Sequence, residues 1–336
     1  MKRLFILIAV LFVLVYPSQA QIPQRYYVLA WHPSDSLIAV ADRTILRVYT
    51  ADLELLDEVS LHHLPDDPYY WLRVTWSPDG SKIAINLGHA GVTPTGRILQ
   101  IWEWDGERLH KGIEIPNVFV GVGITTAWSP DSSQIVVSEL SLNYWWMDAK
   151  IYQVADGSLV DVLELEAPSQ PEHVLWSPDG KQIVLNGRGG VLQVWDVAKR
   201  EFVGILTDNF DGEVWIEYRP DTNHLAVFRV RDNYRDIDIW DTENFRLIQT
   251  LIPPEFTYQF RWLNGNLVTD SSDNLMRTWD IETGEILHIV ESDFIPLWNT
   301  TGTQSARFDR DSQLLTIYDE QTGDILATVD PTERKR

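Results

Sequence analysis

From residue 26 to about residue 329 the chain alternates short apolar runs with short polar turns, and no stretch there keeps the period of an amphipathic helix. Three segments repeat one phrase: TWSPDGSKIAI at 75–85, AWSPDSSQIVV at 127–137 and LWSPDGKQIVL at 175–185. In the first copy, Pro78 presets the first corner of a turn and Asp79 suits the second. Gly80 takes the left-handed position without a Cβ clash. The phrase predicts a strand, a connection of about three or four residues, and a second strand. That second strand reads Ile-Ala-Ile, Ile-Val-Val or Ile-Val-Leu. It is apolar on both faces, which belongs to a sheet covered on both sides.

The aromatic that ends the first strand of the phrase recurs at Trp31, Trp76, Trp128, Trp176, Tyr218, Trp262 and Trp298. Downstream of each, a second aromatic closes a β-branched strand: Tyr49, Trp102, Tyr152, Trp195, Trp240, Trp279 and Tyr318. A polar turn such as VADGS or IETGE follows, then a short apolar strand such as FVGIL. Seven copies of four strands fill the chain and leave nothing for a second domain. Radial repetition covers both faces of every sheet without exposing long edges. The predicted fold is an all-β, seven-bladed β-propeller of four-stranded antiparallel blades. The first strand of the ring is an innermost one and the last an outermost one, so ring closure is expected from packing between blades one and seven, without a clasp strand from residues 21–25.

Trp195-Asp196, Trp240-Asp241 and Trp279-Asp280, with Asp273 six residues before Trp279, resemble the repeats of the WD-repeat β-propeller family across essentially the whole predicted ring. The WSPDG phrase is also similar to TolB-type propeller repeats of bacterial exported proteins. No Gly-His dipeptide precedes the innermost strands, and Gly88-His89 falls in a different loop. The Asp-His network of the eukaryotic family members is therefore not carried over. The resemblance implies the fold and leaves the ligand open.

Ahead of the repeats, Lys2 and Arg3 precede thirteen apolar residues, Leu4 to Tyr16, and Ser18-Gln19-Ala20 supplies small residues at the cleavage positions. As a helix that run reaches ~20 Å, short of the ~30 Å hydrocarbon core. Residues 1–20 therefore read as a helical Sec signal peptide, residues 21–330 as the propeller, and 331–336 as a disordered basic tail, with the product secreted or periplasmic. The chain has 27 basic and 49 acidic residues and no cysteine. Loss of residues 1–20 removes two positive charges and no negative one, which leaves a net charge of −24. Such a chain lacks the cation excess that drives binding to nucleic acid. Without disulfides it depends on burial for its stability.

In an up-and-down meander the first and third turns of every blade share one end of the ring. The second turn and the inter-blade link share the other, and the length variation falls there: LGHAGVTPTGR (87–97), ELSLNYWWMDA (139–149), VRDNYRD (230–236) and HHLPDDPYYW (62–71). Insertions on one end of a rigid scaffold are a usual place for binding. Tyr69, Tyr70, Trp71, Arg97, Tyr144, Trp145, Trp146, Arg188, Arg231 and Tyr234 are the candidate ligand-binding residues, because aromatics and arginines dominate interface energetics. The same aromatics could instead pack on their own loops, and the arginines pair with nearby carboxylates.

Catalytic chemistry is sparse. His62-His63 are adjacent and point apart, and DNFDGE at 208–213 lacks the alternating spacing of a calcium loop. No nucleophile elbow or phosphate-cradling loop occurs, and no metal or cofactor is expected. The leading expectation is a non-enzymatic interaction scaffold for a protein or glycan, monomeric or within a complex, with no membrane contact beyond the signal. The alternatives are a propeller hydrolase using channel-mouth carboxylates and a structural component of an envelope assembly. Intact-mass measurement of the exported protein should give a chain beginning at Gln21; a full-length mass would refute cleavage after Ala20.

Overall fold

The computed structural model describes residues 27–42, 44–61, 70–89, 98–116, 126–140, 147–163, 173–186, 190–207, 213–230, 236–291, 296–309 and 311–332. These form seven four-stranded antiparallel sheets, the blades of a β-propeller. Blade one holds β1 (Val28–Trp31), β2 (Leu37–Ala41), β3 (Ile45–Thr50) and β4 (Leu55–Ser60). Blade two holds β5 (Tyr70–Trp76), β6 (Lys82–His89), β7 (Ile98–Trp104) and β8 (Leu109–Pro116). Blade three holds β9 (Thr126–Trp128), β10 (Gln134–Leu140), β11 (Met147–Gln153) and β12 (Leu159–Leu163). Blade four holds β13 (Val174–Trp176), β14 (Gln182–Asn186), β15 (Leu192–Asp196) and β16 (Glu201–Thr207). Blade five holds β17 (Glu213–Tyr218), β18 (His224–Val230), β19 (Ile237–Asp241) and β20 (Arg246–Leu251). Blade six holds β21 (Thr257–Leu263), β22 (Asn266–Ser271), β23 (Leu275–Trp279) and β24 (Ile286–Glu291). Blade seven holds β25 (Leu297–Trp298), β26 (Gln304–Asp309), β27 (Leu314–Asp319) and β28 (Ile325–Val329).

The two sets of aromatics fall in one register row. Trp31 pairs with Ile38 and Ile38 with Tyr49; Trp76 pairs with Ile83 and Ile83 with Trp102. The row repeats in every blade down to Trp298, Ser305 and Tyr318, where a serine replaces the aliphatic residue. Each row turns toward the preceding blade. In blade one Trp31, Ile38, Val40 and Tyr49 pack against Ala306, Leu315 and Ile317 of blade seven, while Ala39 and Ala41 face Leu72, Val74 and Trp76 of blade two. That alternation is why β2 is apolar on both faces. Seven buried clusters result, one at each junction.

The innermost tryptophans also tie blades together by hydrogen bonds. The Trp76 indole N–H donates to the Ala30 carbonyl at 3.0 Å, Trp262 to the Glu217 carbonyl at 3.0 Å, and Trp31 to the Leu297 carbonyl at 2.9 Å. Trp128 reaches the Thr75 hydroxyl at 3.2 Å. In each case the acceptor lies one residue before the preceding blade's own aromatic.

The first and third turns do share an end of the ring. Ala51 N–H donates to Ser36 O, Trp104 to Ser81, Val154 to Ser133, Val197 to Lys181, Thr242 to Asn223 and Glu320 to Thr303, each joining a third turn to its blade's first turn. The SPDG connection is longer than read from sequence: residues 77–81 separate β5 from β6. The added length is braced from within. Asp79 Oδ1 accepts from the Ser77 hydroxyl at 2.6 Å and the Ser81 N–H at 3.0 Å. The Lys82 N–H donates to Ser77 Oγ at 2.9 Å. Gly80 has φ 72°, and a Cβ there would lie 2.0 Å from His32 Nε2. The aspartates that follow the third strands cap the next turn. Asp241 accepts from the Glu243 and Asn244 N–H groups, and Asp280 from those of Glu282 and Thr283. Asp273, the position the family resemblance singles out, forms an ion pair with Arg277.

The seam between blades seven and one is closed by packing and by one carboxylate. Asp35 occupies the position of Gly80 in its own turn and keeps a left-handed φ of 60°. Its carboxylate accepts from Thr300 N–H at 2.6 Å, Thr300 Oγ1 at 2.7 Å and Thr301 N–H at 3.0 Å. Residues 21–25 lie outside the described residues. Urea denaturation should find Asp35→Ala less stable by about 1–3 kcal/mol. Asp35→Gly should lose less, because glycine relieves the left-handed backbone. An Asp35→Ala protein as stable as wild type would show that this carboxylate does not close the ring.

Candidate functional site

The sequence-derived residues Tyr69, Arg97, Tyr144, Trp145, Trp146, Arg188, Arg231 and Tyr234 lie outside the described residues. Tyr70 and Trp71 are placed by their backbone alone, at the start of β5 opposite His89 and Gly88. What the fold does settle is which end they belong to. Inner strands run from the inter-blade link toward the tight turn, so the backbone of residues 70–71 stands at the end opposite the SPDG turns.

On the inner strands the residues that alternate with the aromatics face the following blade: Val28 and Ala30 pack against the cluster between blades one and two, Ala127 against that between three and four, and Leu175 against that between four and five. One residue before each closing aromatic stand Ala30, Thr75, Ala127, Leu175, Glu217, Arg261 and Leu297, all half-buried or exposed. Three residues before stand Val28, Arg73, His173, Trp215 and Gln259. The residues between them, such as Val74, Val174, Ile216 and Phe260, are buried between blades. The two rows therefore carry polar and aromatic groups on blades two, four, five and six, and apolar residues on blades one, three and seven.

The geometry around His173 is specific. The His173 ring lies 5.6 Å from that of Trp215, whose side chain is 39% exposed. His173 itself is buried, and its backbone N–H donates to Asn186 Oδ1 at 2.5 Å. Burial, with repulsion from the Arg73 guanidinium, lowers its pKa to about 4, so the imidazole is neutral near pH 7. Next to Trp215 along the same face of β17 comes Glu217. Burial of its carboxyl raises the pKa to about 7, against the opposing pull of Arg261 and the Trp262 backbone N–H. The neutral imidazole and the exposed indole beside it, with Arg73 near them, can stack on and hydrogen-bond a ligand.

The opposite end is chemically occupied. Burial alone would raise the pKa of Asp79, but hydrogen bonds from Ser77 and Ser81 hold it below the usual range. Asp179 behaves in the same way through Lys181, Ser177 and Asn223. These carboxylates brace turns and are not free for a ligand. Among the described residues no group of three or more His, Asp or Glu side chains is placed to hold a metal ion. The chain matches no known family model and no curated protein.

Sequence reading missed these inner-strand residues because Arg73, His173, Trp215 and Glu217 follow no repeated letter. It also missed a polar position that was in view. Two residues before each second aromatic stand Arg47, Gln100, Lys150, Gln193, Asp238, Arg277 and Thr316, polar in all seven blades. These bond mainly across to the neighbouring strand: Arg47 to Glu58 at 3.1 Å, Gln100 to Glu114 at 2.9 Å, Asp238 to Thr250 at 2.7 Å. These bonds brace the blades.

The two perturbed inner-strand groups have opposite linkage. Glu217 binds a proton more tightly when folded, its pKa raised by burial to about 7, so from the ordinary carboxyl range up to that value stability falls as pH rises. His173 drops from 6.5 to about 4 on folding, so in that window stability rises with pH. Urea denaturation across the overlap should show a steeper rise with pH for Glu217→Gln than for wild type, and a shallower one for His173→Gln. Identical slopes in all three proteins would contradict the burial of these groups.

Proposed function

We propose that this chain is an exported, non-catalytic interaction propeller that engages a protein segment or a glycan at the end bearing the long connections. The observation that carries this reading is the asymmetry of the two ends. The connections at 32–36, 77–81, 129–133, 177–181 and 219–223 are five residues each. They are tied to the third turns, and their carboxylates are committed to internal hydrogen bonds. The connections at the other end vary from the short link between β2 and β3 to residues 90–97 between β6 and β7 and 164–173 between β12 and β13. Variable segments on a rigid ring suit recognition, and Arg73, His173 and Trp215 would give the partner a polar and aromatic floor.

The repeat pattern is compatible with WD-repeat and TolB-type propellers, and binding is the role such a ring serves without added chemistry. The hydrolase reading has one feature in its favour, the near-neutral pKa of Glu217. The two-carboxylate mechanism needs a second acid or base, and Glu217 is the one carboxylate among the described side chains of the inner strands. The interaction reading therefore stands first.

A pull-down from native host extract with the Trp145→Ala/Trp146→Ala double variant tests it. The expected result is loss of partner capture with an unchanged thermal midpoint; undiminished capture would overturn the assignment of these aromatics.

A further inference from the structure

The outer rim of blade six differs from the other rims. Outermost strands are edges, and edges are normally guarded by charge, proline or coverage. Asp57 and Glu58 guard β4; Lys111, Glu114 and Pro116 guard β8; Asp161, Glu201 and Arg246 stand on β12, β16 and β20. The last strand, β28, carries no charge, but its Ala327 and Val329 pack against the seam between blades seven and one. β24 reads Ile-Leu-His-Ile-Val-Glu; its one formal charge, Glu291, lies at a strand end as Glu201 and Arg246 do on β16 and β20, and it differs from those strands in that all six residues are exposed. Ile286 is 37% exposed, Leu287 45%, Ile289 54% and Val290 51%.

The cause lies one junction away. The cluster between blades six and seven has two fully buried members, Val268 and Trp298, joined by Leu263 and Met276. Ser305 stands where the other blades place an aliphatic side chain. Blade seven therefore does not cover the outer strand of blade six, and both faces of β24 stay open. Among the described residues β24, like every outer strand, ends its sheet and pairs with one neighbour, β23, so one row of its backbone N–H and C=O groups has no strand partner there.

We propose that β24 is a docking edge for an extended segment of a partner protein, apolar at its centre and basic at both ends, which adds to blade six as a fifth strand. Charge selects this occupant. Exposed Glu285 and Glu291 bracket the apolar centre, and exposed Glu282 lies in the turn before it. The whole chain carries a net charge of −22. A second copy is disfavoured by the same residues. Two-fold antiparallel pairing of β24 with itself in the register centred on His288 would set Glu285 of each copy opposite Glu291 of the other, and any register brings two strongly acidic bodies together. A segment with Lys or Arg at its ends turns both repulsions into attractions, while backbone pairing supplies the affinity. The surface lies on the rim, away from the loop-bearing end, so both can be engaged at once.

The test uses the mature protein and a fluorescein-labelled peptide, Lys-Val-Thr-Ile-Thr-Val-Lys, with capped termini. Its comparators carry Glu at both ends or Pro at the centre. Fluorescence anisotropy should show binding of the basic-ended peptide, weaker at high salt and weaker by roughly an order of magnitude for both comparators. Ile289→Lys and Glu291→Lys should each weaken binding, with thermal midpoints checking the fold. Hydrogen exchange should show new protection at residues 286–291 on peptide addition, which locates the contact without any variant. Equal binding of the Glu-ended peptide, protection elsewhere on the ring, absence of binding, or self-association abolished by Ile289→Lys would each overturn the proposal.

Discussion

The ring depends on one arrangement repeated around its axis: an aromatic at the end of each innermost strand, pressed against the preceding blade. The aromatic removes a large apolar surface from water. At four junctions its indole N–H also finds an acceptor on the blade before it. A buried indole without such a partner would offset part of what its burial contributes. Where the letter or geometry changes, the junction is held otherwise. Tyr218 keeps its hydroxyl on Thr242 within its own blade, and Asn223 reaches back to Asp179 instead.

Much of this was legible in the sequence because the junction needs the same residue type at the same place each time. Seven aromatics ending inner strands and seven closing third strands gave the blade count and the end of the ring on which each connection lies. Other features were not legible for physical reasons. In each blade the pairing of third and fourth strands shifts register just before the second aromatic, between Val48 and Tyr49 in blade one and between Ile317 and Tyr318 in blade seven. A bulge is a property of paired backbones, and the aromatic beside it is already accounted for by junction packing, so its letter does not announce the shift. The inner-strand site was hidden because it is assembled across blades. Arg73 on blade two, His173 on blade four and the Trp215–Glu217 pair on blade five are far apart in the chain, and only the fold sets His173 beside Trp215 and near Arg73. The polar residue before each second aromatic was overlooked because β-branched neighbours dominate the strand.

The acidic composition also acquires a structural account. Many of the carboxylates are turn components. Asp79, Asp131 and Asp179 brace first turns. Asp196, Asp241, Asp280 and Asp319 cap third turns through backbone N–H groups. The Trp-Asp dipeptide thus joins two separate duties, a junction side chain and a turn cap. A chain built this way becomes strongly negative as a consequence of its architecture, and that charge then governs which partners can approach.

The seven junctions are not equivalent, and the inequality follows from blade seven. β25 has two residues, and Ser305 interrupts the aliphatic series, so blade seven has less apolar surface to offer both neighbours. On one side the deficit is made up. Blade one brings Trp31, Ile38, Tyr49 and Leu53 to the seam, and Asp35, at the left-handed position of its first turn, reaches Thr300 and Thr301. On the other side, toward blade six, the buried cluster stays small and β24 stands uncovered. A closed ring distributes such a deficit around itself, because no blade can be lost without opening two junctions. Six well-filled junctions can therefore hold a seventh that is thin. Where the outer strand of a blade is left largely apolar and open beside that thin junction, its exposure adds nothing to stability, and the proposed docking of an extended segment is the use that exposure would serve.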